Sequence, residues 1–534
     1  MKKLLSILCV CIALCFAFVG CGTAAGGNGG GENNGGNNSS EIEGGDNEGD
    51  EGNEGGDNEG DGEAEVKDKN IAGFDNLAKA IATINIMTDD GTDITGTSKP
   101  ETQIYKDCTV GLANGRDGEN FSAVTAKVRV RGNNTADYDK KSYRVKFDEK
   151  INLLGLNDGA KFKNWVLLAC YKDVTFLRDA VVFELAKQTL EKNGYYASDY
   201  AFAEVNVNGA YNGLYMVAEQ QQVNKNRVNI NEPDENYTGN DIGWFIEFDG
   251  NARMTEDPRD YFMINYKQGG YRLTCEDGTL FYPGQTFDWG QAYYTIKNDI
   301  YAPSQNTFIK NYTENVFKLI YDAIYNRTYW AFNEDYTALV RSDLSDAESV
   351  IAAAVDLDSM VDTFIIAEIA CDNDVDWSSF FFTVDMSAMG DKKLAFQAPW
   401  DFDSGFGMMK GLEEYDKIFS ANVSTNAMKA LNPWTAVFFS ADWFRLAVAE
   451  RFDELQKGGV FERLVDLIDK VTVTYAPYFA KNYDKWDNLG KIVDPVQGET
   501  VTTFTTHADA ATYLKNWLTH RVEFLSEYFS AISE

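Results

Sequence analysis

Two apolar periods run along this chain, and the second takes over near its middle. AKVRVRG (Ala126 to Gly132) and KSYRVKFD (Lys141 to Asp148) alternate apolar with basic residues, the two-residue period of half-buried strands. The Gly-Asn-Asn-Thr stretch between them predicts a turn. WVLLACY (Trp165 to Tyr171) is a more deeply buried apolar run, and DVTFLRDAVVFELAKQTL (Asp173 to Leu190) predicts a helix with Asp173 or Thr175 near its N-cap. AEVNVNGAYNGLYMVAEQ (Ala203 to Gln220) predicts a hairpin turning at Asn208-Gly209, and GWFIEFD (Gly243 to Asp249) a further strand. Helical spacing then dominates: Asn311 to Tyr325, a helix bearing Met360, Phe364, Ile365 and Ile369, Trp443 to Gln456, Phe461 to Val471, and Ala510 to Phe529. The expectation is an α+β chain. Its strand-rich first lobe covers about 71–300 and its helix-rich second lobe 301–534, with a ligand cleft between them.

The amino-terminal end is of another kind. MKKLLSILCVCIALCFAFVGCG reads as an export signal, and the small residue before Cys21 resembles a bacterial lipobox. Residues 1–21 are thus expected to be a lipoprotein signal, with lipid on Cys21 tethering an exported chain to the membrane or cell surface. Residues 22–70 are Gly, Asn, Glu and Asp with almost nothing to bury, a disordered acidic tether. No later apolar run approaches the roughly 20 residues needed to span a bilayer.

Charge narrows the partners. The formal net charge is −35, and without the tether's acids and the two signal lysines it is still −24. A nucleic-acid backbone needs a basic surface and is excluded. Any anionic ligand must be met by local cations or by metal. Outside the signal, Cys108, Cys170, Cys275 and Cys371 show no CxxC spacing and read as buried small side chains. His507 and His520 lie in a helical, packing-driven stretch and read as structural.

The candidate chemistry sits between Ser359 and Gly407. The Met360 helix ends at Asp372, Asn373, Asp374 and Asp376. A strand (Phe380 to Val384), a turn at Gly390-Asp391 and a second strand (Leu394 to Gln397) then lead to Asp401 and Asp403 beside Gly405 and Gly407. A hairpin brings its two ends together, so Asp374 and Asp401 are expected at one mouth. Such carboxylates suit a hard cation such as Mg²⁺. Helix, acidic loop, hairpin and acidic glycine loop also follow one another in protein kinases, where one Asp takes the acceptor proton and another holds metal on ATP. The literal HRD, DFG and VAIK motifs are absent.

RVRGNNTADYDKKSYRVKFD, NWVLLACYKDVTFLRDAVVFELA, VNVNGAYNGLYMVAEQ, GWFIEFDG, APWDFDSGFG and LKNWLTHRVEFL, in this order, resemble the spore-coat protein H (CotH) kinase family from about Lys127 to Phe529. The resemblance implies an atypical bilobed protein-kinase-like fold. It implies binding of ATP with Mg²⁺ or Mn²⁺, and transfer of the γ-phosphoryl group to Ser or Thr of secreted or cell-surface proteins. Carried onto this chain, Asp374 matches the acidic loop as catalytic base, with Asp376 the alternative. Asp401 matches the metal-binding Asp of the Trp-Asp motif, and Asp403 stands beside it. Asp372 departs from the family's usual Asn, and Ser378-Ser379 stand where a metal-binding Asn is expected.

Cations for the phosphates are sought on the first lobe: Arg131, Lys141, Arg144 and Lys146. Lys146 shares a strand face with Arg144 and is the first choice, with Lys141 behind it. Glu219 and Glu247 are the candidate partner acids. The rival readings are a catalytically inactive surface-binding member or adhesin of the same fold, and a two-carboxylate glycoside hydrolase. Acids clustered at one hairpin alongside basic strands disfavour the hydrolase.

Overall fold

Seven strands with a two-residue burial period build the first part of the molecule: β1 (Ala82–Thr88), β2 (Lys106–Ala113), β3 (Phe121–Arg131), β4 (Ser142–Ile151), β5 (Phe162–Leu168), β6 (Tyr200–Val207) and β7 (Ala210–Glu219). They close into a barrel in the order β1-β2-β3-β4-β5-β7-β6, and β6 returns parallel to β1. Closure leaves no free sheet edge. Val128, Val130, Val145, Phe147, Trp165, Tyr215 and Val217 point inward as the barrel's own core. Their neighbours Val166, Leu168, Leu214, Met216 and Ala218 point outward into a second, larger core. This computed structural model of the protein describes residues 81–533 apart from 116–119, 286–289 and 423–429. The expected signal, Cys21 and tether lie outside the described residues.

Helix α1 (Arg178–Gln188) follows β5 and lies within that larger core. Every residue of α1 except Lys187 is buried. The helix begins later than the sequence pattern predicts, because Asp173 first caps a separate turn. Its carboxylate accepts from Thr175 N (2.9 Å) and Arg178 N (3.0 Å).

A second sheet has five strands: β8 (Gly243–Phe248), β9 (Tyr261–Asn265), β10 (Gln291–Ile296), β11 (Phe380–Asp385) and β12 (Ala395–Phe396). Their order is β12-β11-β8-β10-β9. It therefore takes strands from both sides of the division expected near residue 300. The reason lies in β8, GWFIEF, which buries both faces except at Glu247 and so must be a central strand. The sheet packs with α2 (Pro303–Tyr325), α3 (Leu357–Ala370), α4 (Pro433–Phe439), α5 (Asp442–Lys457), α6 (Val460–Thr474), α7 (Ala476–Trp486) and α8 (His507–Ser533). Among the described residues no helix is long and apolar enough to cross a membrane. Cys108, Cys170, Cys275 and Cys371 are free thiols, and all but Cys170 are buried.

One buried ion pair fastens the carboxyl-terminal helix to the helix that carries the acidic turn. Arg521 of α8 and Glu368 of α3 meet at 2.7 Å, both fully buried. Arg521 also donates to the carbonyls of Tyr415 (2.8 Å) and Lys417 (2.6 Å). Glu368 accepts from Phe419 N (3.0 Å) and Ser420 N (2.6 Å). The pair thus holds residues 415–420 against α3. Arg521→Met should destabilise the fold by about 3–5 kcal/mol, because it leaves a buried carboxylate without its cation. Urea unfolding reads this as a lower midpoint, and adding Glu368→Leu should recover part of the loss. An unchanged midpoint for Arg521→Met would show that the pair carries no stability.

Candidate functional site

The acidic turn and the glycine loop are joined by a single side chain. Asp372 caps the turn Asn373–Asp376 by accepting from Asp374 N (2.9 Å) through Oδ1. Its other oxygen accepts from Ser404 N (3.0 Å). The hairpin β11-β12 pairs Phe382 with Phe396 and returns the chain toward that turn. Around it Cys371, Ser379, Ala398, Asp401 and Phe406 hold left-handed backbones, with φ between 49° and 66°. Such residues cost about 1–3 kcal/mol each and persist only where the surroundings over-determine them. Gly405 is required by proximity: a Cβ there would lie 2.7 Å from the Ala370 carbonyl oxygen.

The start of α1 supplies the surroundings. Arg178 donates from Nε to Gly405 O (2.9 Å) and from Nη1 to Asp173 Oδ1 (2.5 Å). Asp179 Oδ1 accepts from Phe402 N (2.7 Å). The loop that presents Asp401 and Asp403 is thus clasped at Phe402 and at Gly405 by neighbouring residues of one helix.

A small cavity lies between this loop and the barrel, lined in part by Arg131, Lys140, Lys172, Asp179, Asp401 and Asp403. Lys172 Nζ is 2.8 Å from Asp403 Oδ1. Arg131 stacks over Trp400 at 5.8 Å and feels the charge of Asp401. Lys140 is buried and donates to the carbonyls of Ala169 (2.7 Å) and Leu214. Burial pulls its ammonium down to about 7. Burial, followed by the charge of Asp401, pushes Asp374 up to about 7. That value suits a proton acceptor working near neutrality.

A family model described as CotH kinase protein matches residues 128–525. The chain belongs to the CotH kinase family. Comparison with curated proteins gives no match.

For this CotH chain the structure brings together some of the residues singled out in the sequence. Arg131, Asp401 and Asp403 line the cavity, and Asp374 is within electrostatic reach of Asp401, Asp403 and Lys172. Asp376 is buried elsewhere and accepts from Asn432 N at 2.9 Å, so of the two alternative bases only Asp374 faces the cluster. The other first-lobe candidates do not line the cavity. Lys146 lies on β4 opposite Lys127 and Asn164. Lys141 donates to Ala136 O (2.7 Å), and Arg144 to Gln220 Oε1 (2.7 Å). Glu219 is buried against Arg227 at 3.1 Å and also accepts from Asn157 Nδ2 (2.7 Å). Glu247 pairs with Lys297 at 3.1 Å.

Lys140 and Lys172 stand at the cavity instead. Lys140 lies just before β4, where the two-residue period puts it in phase with Arg144 and Lys146 rather than with Lys141. Lys172 sits in a turn and had no periodic signal. Asp494 was missed as well. It comes from the strap 487–498, accepts from the Tyr138 hydroxyl, and adds to the negative field at Asp374.

A buried histidine braces the turn before α1. His507 stacks on Phe479 at 3.6 Å, and its Nε2 lies 2.8 Å from Thr175 O. Burial depresses it to about 4, so it is neutral when folded. Its contribution is therefore present above the unfolded value near 6.5 and is lost as pH falls toward and through about 4. His507→Phe should flatten the stability profile across that window by about 3 kcal/mol in total. Urea melts at several pH values measure it, and an identical slope in both proteins would refute a neutral buried ring.

Proposed function

We propose that this chain is an exported, surface-tethered kinase that transfers the ATP γ-phosphoryl group to Ser or Thr of extracytoplasmic proteins, on an atypical bilobed kinase-like scaffold. The observation that carries the reading is the cavity itself. Arg131, Lys140 and Lys172 line it together with Asp401 and Asp403, with Asp374 beside them, in a member of a family described as kinases. Phosphoryl transfer asks the protein mainly for positioning and charge stabilisation, which such an arrangement provides.

The donor set fits a hard divalent cation, Mg²⁺ or Mn²⁺, because every candidate ligand is a carboxylate oxygen. Among the described residues no group of three or more His, Cys, Asp or Glu is arranged to hold a metal unaided. Phosphate oxygens and water must therefore complete the shell. Asp401 is the principal ligand and Asp403 the second candidate. When bound, the ion neutralises charge on the phosphates. Asp374 orients the acceptor hydroxyl and takes its proton, while Arg131 holds the nucleotide's charge at the barrel side.

Asp401→Ala should weaken metal-dependent nucleotide binding together with turnover. Asp374→Asn should keep nucleotide affinity and lose rate, on the order of a hundredfold or more. Labelled-ATP transfer and nucleotide titration separate the two, and wild-type rates in both variants would overturn this assignment of the loop. One observation favours a second reading, a member that binds without transfer: Asp403 is already paired with Lys172. Nucleotide binding with no transfer to itself or to secreted proteins would identify it.

The anchoring half of the proposal rests on Cys21 and the lipobox-like residues before it. Cys21→Ser should release the chain from the membrane fraction or leave its signal uncleaved. Unchanged fractionation with normal processing would overturn lipid anchoring.

A further inference from the structure

Lys172 reaches the carboxylates from an unusual place. It lies on the turn between β5 and α1, not on a barrel strand, and it is only 8% exposed. Both flanks of its backbone are fixed by the strap 487–498. Asn488 Nδ2 donates to Tyr171 O (2.7 Å), and Gln497 Nε2 donates to Lys172 O (3.1 Å). On the next residue, Asp173 is locked to Arg178. The backbone that carries this buried side chain is therefore set in place.

Its partners are those a metal would want. Nζ is 2.8 Å from Asp403 Oδ1 and 2.5 Å from Ser404 Oγ. The charges of Asp374 and Asp401 act on it too. A divalent ion bound to Asp403 would sit about 2 Å from an oxygen of that carboxylate. It would then share the carboxylate with a fixed ammonium at short range in a poorly screened site. Either the buried ammonium gives up Asp403 and Ser404, or the ion is not there.

We propose that Lys172 takes the place of a second divalent cation, so that this site binds nucleotide with one metal ion, on the Asp401 side. Asp403 then serves as the counter-charge that holds Lys172, and the ammonium faces the phosphate group directly. The inference rests on the phosphotransfer reading above and makes it specific.

The test is a count of bound Mn²⁺ per chain at saturating non-hydrolysable ATP analogue, read from the loss of the free-ion resonance signal. Wild type should bind one ion. Lys172→Met should bind two, the second at least tenfold tighter than any further binding in wild type. Lys172→Arg, which keeps the charge, should stay at one. Two ions on wild type, or one ion on a folded Lys172→Met chain, would overturn the role of Lys172 while leaving the kinase reading in place. The wild-type count stands even if the methionine variant does not fold. A wild-type chain that binds neither analogue nor Mn²⁺ would overturn both.

Discussion

The fold hangs its chemistry on one buried guanidinium. Arg178 joins its own capping carboxylate, Asp173, to the carbonyl of Gly405, and the adjacent Asp179 takes the amide of Phe402. These contacts link the turn leaving the barrel to the loop leaving the β11-β12 hairpin. Without them the left-handed backbone at Asp401 would have no opposing surface to hold it. A buried charge with good hydrogen bonds is a poor source of net stability but a strong fixer of geometry. That is the role required here, where two loops from distant parts of the chain must meet.

Local charge at the cavity runs against the net charge of the chain. The chain is strongly acidic overall, yet Arg131, Lys140 and Lys172 gather at one place. Each is held differently. Arg131 sits over the Trp400 ring, Lys140 is solvated by carbonyls in place of water, and Lys172 is paired with Asp403. An acidic exterior repels free anions while a cation-lined recess holds those that enter, so entry and retention answer to different fields.

Much of this was legible in the sequence. Strand alternation at Ala126–Asp148, the hairpin at Asn208-Gly209, the Met360 helix and the order of the acidic loops are local signals, and local signals survive folding. Closure of the barrel depended on β1 meeting β6, a long-range pairing with no mark in either strand. The choice of Lys146 rested on a shared face with Arg144. That face exists, but the cavity opens at the other end of β4, where Lys140 enters. Lys172 was hidden because a turn has no period. Asp494 was hidden because its strap has no period and its partner, Tyr138, lies far off in the chain. Helix α7 escaped notice for a similar reason, since it buries little beyond Phe479 and Asn482.

Many kinases are switched by swinging the helix that packs beside the phosphate site. In this molecule α1 lies beside the cavity through Asp179, and all of it but Lys187 is buried in the core shared by the barrel's outer face and the helices. Rotating it outward would bring Val181, Val182, Phe183 and Leu185 into water, at about 1.5–3 kcal/mol for each side chain. Such a penalty approaches the whole stability of an ordinary domain. A hinge that cannot open without unfolding is not a hinge. The helix beside the cavity is thus a fixed wall, assembled once, when the chain folds.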